Sequence, residues 1–185
     1  MRNFLLALAL IGFAPISWAL SPYLQGSKVA AGDVQNVIAQ VEGKLTKAGF
    51  SVVGKYMPAG LAGSGVLVVT EKGLLDAVRK LGGINIVGAP IRIGVKADGS
   101  VSYMNMEYWL RAYFRKQYPQ AEKTVKATQT KLSKALGAGK AFGGDVERKD
   151  LPEYQYMFGM EGFESDKNVL IEHLTFEDAE SEERR

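Results

Sequence analysis

The chain contains no cysteine. Disulfides, thiolate metal sites, iron–sulfur clusters, covalently attached c-type haem and cysteine nucleophiles are therefore excluded. It has a single histidine, His173, so no three-histidine metal centre can be assembled within one chain. No sign of charge dominates: 23 basic side chains face 20 acidic ones, a formal net charge of +3. That balance predicts little global attraction for nucleic acid or an anionic membrane. Beyond the N-terminus no apolar run approaches the ~20 residues that a bilayer span requires. What remains is an ordinary globular composition, 46% apolar over 185 residues, which is single-domain size.

The N-terminus reads as a secretory signal. Arg2 precedes an apolar run from Phe4 to Ile16, and Ser17-Trp18-Ala19 places small side chains three and one positions before a cut. Residues 1–19 are thus expected to be removed, leaving a soluble periplasmic or secreted chain. Residues 20–32 read as a Gly/Ser/Lys linker, and residues 33–185 as one domain. Charge is segregated along that domain. Arg111, Arg115, Lys116, Lys123, Lys126, Lys131 and Lys134 crowd one stretch, and Glu172, Glu177, Asp178, Glu180, Glu182 and Glu183 crowd the C-terminal end. Such runs are usually solvated helix faces. The alternatives are a partner surface, or docking of the acidic end on the basic stretch.

Periodicity supplies the elements. Asp33 caps a helix with Val34, Val37, Ile38, Val41, Leu45 and Ala48 on one face, and Gly49 ends it. Phe50 to Tyr56 and Val66 to Val69 read as strands joined by a Gly-rich turn, and Thr70 is placed to cap a second helix closed by Gly82-Gly83. Ile91 to Lys96 and Val101 to Met104 flank Asp98-Gly99, the strongest local hairpin signal in the chain. Met106, Trp109, Leu110 and Tyr113 form one face of a third helix. Tyr118-Pro119 interrupts it, and a basic helix over about 120–136 follows, read as an appendage to the core. Residues 138–152 read as a loop, Tyr154 to Phe158 and Asn168 to His173 as strands, and Thr175 with Asp178 as the start of an acidic C-terminal helix. The sum is an α+β domain with a mainly antiparallel sheet and helices on one face.

Several strings in this order are similar to the domain of unknown function 302 family: Lys47 to Phe50, Val66 to Thr70, Ala89 to Val95, and Val101 to Trp109. The resemblance covers about Asp33 to Phe114. Members more often carry Asn-Pro where this chain has Asn105-Met106. The resemblance implies a compact fold similar to the TATA-binding-protein-like class and a homodimer, and it implies no reaction.

Ser64 in Gly63-Ser64-Gly65 lacks the nucleophile-elbow spacing, and the glycines around it join two strands rather than opening a helix that holds phosphate. Glu161 with Glu164, and Asp145, Glu147 and Asp150, offer carboxylates for acid–base work, so a carboxylate-dependent enzyme ranks third. His173 with Met104, Met157 and Met160 is a donor set suited to copper(I) or haem iron, the second-ranked reading, although methionine beside aromatics is ordinary core packing. Tyr103, Asn105, Tyr108, Trp109, Tyr154 and Tyr156 combine apolar bodies with polar tips, suited to a small-molecule site or an interface. The leading expectation is therefore a non-catalytic binding or accessory protein with a small-molecule or protein partner. Nucleic acid is not expected as a partner.

Export predicts a mature N-terminus at Leu20, which intact mass of the secreted protein measures directly. Retention of residues 1–19 would overturn it.

Overall fold

The computed structural model describes residues 19–153. Strands β1 (Ala19–Leu20) and β2 (Tyr23–Gln25) lead to helix α1 (Val34–Lys47), the hairpin β3 (Ser51–Tyr56) and β4 (Ser64–Thr70), and helix α2 (Lys72–Leu81). A second hairpin, β5 (Ile91–Lys96) and β6 (Val101–Met104), runs into α3 (Met106–Phe114) and α4 (Tyr118–Leu136), and β7 (Ala141–Phe142) and β8 (Val146–Glu147) follow. The main sheet has the order β3-β4-β5-β6-β2-β7 with every neighbouring pair antiparallel. This is an α+β fold, as the pattern of strands and helices predicts.

Alternation along the strands separates two faces. Leu67, Val69, Ile91, Ile93, Val95, Val101 and Tyr103 point inward, and join Val37, Val41 and Leu45 of α1 and Leu74 and Val78 of α2 in one core. Asp33 caps α1 as expected, its carboxylate accepting from Gln35 N at 2.8 Å. Gly65 lies where α1 crosses the sheet: a Cβ there would stand 2.7 Å from Ile38 Cδ1. At the β5–β6 turn Gly99 has φ +80°, and a Cβ would meet Val29 O at 2.1 Å. Glycine is needed there for both conformation and space.

Three expectations are corrected. The linker over residues 20–32 contains β2, an interior strand between β6 and β7. It is only three residues long, too short for periodicity to register. Residues 138–152, read as a loop, supply β7 and β8. The basic helix is no appendage: α4 buries Tyr118, Ala121, Val125, Thr128, Leu132 and Leu136 against the core, and Pro119 sits in its first turn, where a missing N–H is harmless. Arg115, at φ +46°, makes the corner between α3 and α4.

A buried carboxylate bolts α4 in place. Glu71, rather than Thr70, caps α2 by accepting from Gly73 N at 2.9 Å, and Thr70 instead donates to Ala89 O at 3.0 Å. Glu71 also accepts from Thr128 Oγ1 at 2.8 Å and Lys131 Nζ at 3.2 Å, both on α4. Burial pushes its pKa up, but the hydrogen bonds from Thr128, Gly73 and Lys131 outweigh burial and hold it below the ordinary value. A folded-state value below the unfolded one gives stability that is complete above about pH 4.3 and is lost as pH falls through the folded value. Glu71→Ala removes the cap and strands the buried Thr128 hydroxyl, so it should destabilise by ~2–4 kcal/mol at neutral pH. Urea denaturation across a pH series should show the gap to the parent narrowing below about pH 4. A gap independent of pH would refute the assignment.

Candidate functional site

The outward face of the sheet carries a cleft that is the candidate site. Register places Tyr56, Val66, Gly94, Ser102 and Gln25 in one row across β3, β4, β5, β6 and β2. The next row is Gly54, Val68, Arg92, Met104, Tyr23 and Phe142. In the first row Gly94 and Ser102 are the smallest side chains, and they lower the middle of the face. Pro58 and Leu61 from the β3–β4 turn wall the depression on one side, and Lys140 and Phe142 wall it on the other. The result is a cleft of about 540 Å³, within the range of small-ligand sites.

Its floor is mainly apolar, with the Ser102 hydroxyl set in it, and its rim is polar. Asp98, at the rim, is already engaged: Ser100 N–H and Oγ both reach its carboxylate at 2.9 Å, and Lys28 lies 3.5 Å away. These contacts, led by the backbone N–H of Ser100, hold its pKa below the ordinary value. Lys96 and Lys140 also line the cleft, and among the described residues neither forms an ion pair. The charge offered to an occupant is therefore positive.

The wall rests on an aromatic chain. Phe142 lies 5.7 Å from Tyr23, Tyr23 lies 5.8 Å from Trp109, and Trp109 lies 5.4 Å from Tyr108 and 5.7 Å from Tyr113. The Arg92 guanidinium sits 5.7 Å over the Trp109 ring. The start of the described chain is fastened to the same group. Trp109 Nε1 donates to Pro22 O at 2.9 Å, Asn105 N donates to Pro22 O at 2.8 Å, and Asn105 Nδ2 donates to Ser21 O at 2.8 Å. Ser21 Oγ in turn donates to Asp145.

The candidate ligand residues therefore divide. Tyr103 faces the core, its hydroxyl donating to Gly137 O at 2.7 Å. Asn105 is buried and spends its amide on Ser21 rather than on capping α3; Gln129 Oε1 of α4 takes the Met106 N–H instead, at 2.8 Å. Tyr108 is buried and Trp109 is tied to Pro22, so these four build the scaffold behind the cleft and none lines it. The aromatic pattern in sequence marked a packed cluster, because ring content alone does not separate a wall from its support. Met104 is buried, and its Sδ accepts from Arg92 N at 3.2 Å. Tyr154, Tyr156, Met157, Met160 and His173 lie outside the described residues. Sequence reasoning missed Gly94, Ser102, Lys96 and Lys140, whose only signal was a glycine and a serine at opposed positions of the predicted hairpin.

No model of a known protein family matches the chain, and no curated protein matches it.

Proposed function

We propose that this is an exported, non-catalytic binding module whose site is the cleft on the outward face of the sheet. The observation that carries the reading is the pairing of a depressed floor of small or apolar side chains, Val66 and Gly94 with the Ser102 hydroxyl among them, with Lys96 and Lys140 at the rim. Apolar surface supplies affinity and two ammonium groups supply orientation, which suits a small amphipathic anion. The ladder-bound floor is rigid, so the site binds by filling rather than by folding. Export, to the periplasm or the medium, belongs to the same proposal and rests on residues 1–19. Among the described residues no helix is long and apolar enough to cross a membrane.

Anilinonaphthalene sulfonate, an amphipathic anion, tests the site by fluorescence titration. It should bind saturably at one per chain. Ser102→Leu, which fills the floor, should weaken it at least ~10-fold, equivalent to about 1.4 kcal/mol, and Lys96→Gln with Lys140→Gln should weaken it too. Titrations indistinguishable from the parent in both variants would remove the cleft as the site.

A second copy of the chain is the further partner we propose, and the edge strand β3 favours it. Among the described residues strand β3 pairs only with β4, and it carries Val53, 60% exposed, at a bulge and Tyr56, 52% exposed, at its end. A six-residue edge with exposed apolar groups is a template for strand addition. The homodimer implied by the resemblance to the domain of unknown function 302 family would use this edge. Light scattering should give twice the chain mass for the parent and one chain mass for Val53→Asp with Tyr56→Asp. A parent that is monomeric at high concentration would overturn it.

A further inference from the structure

We propose that the acidic C-terminal segment, Glu172–Glu183, docks on the exposed lysine face of α4 in the same chain. The two parts of the chain are opposite in charge. Residues 154–185 carry nine acidic and three basic side chains, and residues 19–153 carry nineteen basic against eleven acidic. The near-neutral total conceals a strongly basic body joined to a strongly acidic end. Between Glu172 and Glu183 six carboxylates occur with no lysine or arginine among them.

The fold decides which basic groups are available. Lys28, Lys55, Lys72 and Arg79 are matched to Asp98, Glu42 and Asp76, and Arg111 reaches Glu107 and Glu122. On α4 the buried side is Tyr118, Ala121, Val125, Thr128, Leu132 and Leu136, so the opposite side presents Lys123, Lys126, Lys131 and Lys134 to solvent. Lys126 is held by Glu122 at 2.7 Å and Lys131 by Glu71 at 3.2 Å. Among the described residues Lys123 and Lys134 have no acidic partner. Glu122 is the helix's only acidic residue. With Lys131 committed to buried Glu71, Lys123, Lys126 and Lys134 set three ammonium groups on one solvent face of a helix whose backbone is fixed by burial of its other side.

Length and position agree. The described chain ends at Glu153, which lines one hollow with Arg115, Lys116 and Gln117, immediately before α4 begins. The nineteen residues from Glu153 to Glu172 reach up to about 60 Å when extended, ample to return along α4. Lys123 and Lys134 stand about 16 Å apart along the helix. Glu172–Glu183, equally eleven steps long, covers at least that distance in any conformation from helical to extended. The contact is electrostatic and largely exposed, so it is screened by salt.

Zero-length carbodiimide cross-linking of the full chain, using an equal mixture of unlabelled and nitrogen-15-labelled protein, tests this. At low ionic strength, amide links should join Glu177, Asp178, Glu180, Glu182 or Glu183 to Lys123, Lys126 or Lys134 within one isotopic species. They should fall at least ~10-fold near 1 M salt, where the screening length is about 3 Å. Lys123→Glu with Lys134→Glu, both at exposed positions, should abolish the links and speed amide exchange over residues 172–183, with the denaturation midpoint unchanged. Links spread evenly over Lys44, Lys80 and α4 would overturn the proposal. So would links found only in mixed-isotope pairs, or exchange unaffected by the double substitution.

Discussion

The segment Leu20–Gln25 is the constraint on which the rest of the site depends. Among the described residues strand β7 joins the sheet only through β2, and β2 is held by the carbonyls of Ser21 and Pro22, which accept from Asn105 and Trp109. Without β2 there is no β7, and without β7 the cleft loses Lys140 and Phe142 from one wall. Three residues of strand cannot stand alone; they are stable because β6 supplies one ladder and α3 supplies donors of fixed geometry. The cleft is thus closed by the first residues of the expected mature chain.

That arrangement bears on export. The expected cut after Ala19 lies within β1, where Ala19 faces Glu147 and Leu20 faces Val146. A peptidase needs its substrate extended and accessible, whereas here the bond lies next to buried Ser21. If the chain is exported as we propose, cleavage would have to precede closure of β1 on β8 to meet both requirements.

The helical layer uses a different device. Glu71 caps one helix and anchors another, so α2 and α4 share a single buried carboxylate with three donors. Burial of such a group is tolerated because its oxygens are satisfied. With the inner side of α4 committed to this contact and to the core, Lys123, Lys126 and Lys134 face outward while Lys131 reaches back to Glu71, and the charge pattern of the outer surface follows from the packing within.

Sequence by itself determined the antiparallel α+β class, the Asp33 cap, the Asp98-Gly99 hairpin and the core face of α1, because each is written in neighbouring residues with a period of 2 or 3.6. On α3 it found Met106 and Leu110, but the structure buries Tyr108 and Phe114 and leaves the expected Trp109 and Tyr113 only partly buried. Sequence also marked the charge asymmetry between body and C-terminal end. The insertion of β2, the use of Glu71 instead of Thr70 as a cap, the burial of α4 and the cleft itself belong to the tertiary structure alone. Each joins residues distant in the chain, such as Ser21 with Asn105, Glu71 with Thr128, and Gly94 with Ser102 across a strand pair. Local propensity carries no record of which distant partner satisfies a hydrogen bond, or of which small side chains fall side by side. Those outcomes are set when the sheet closes and its register brings them together.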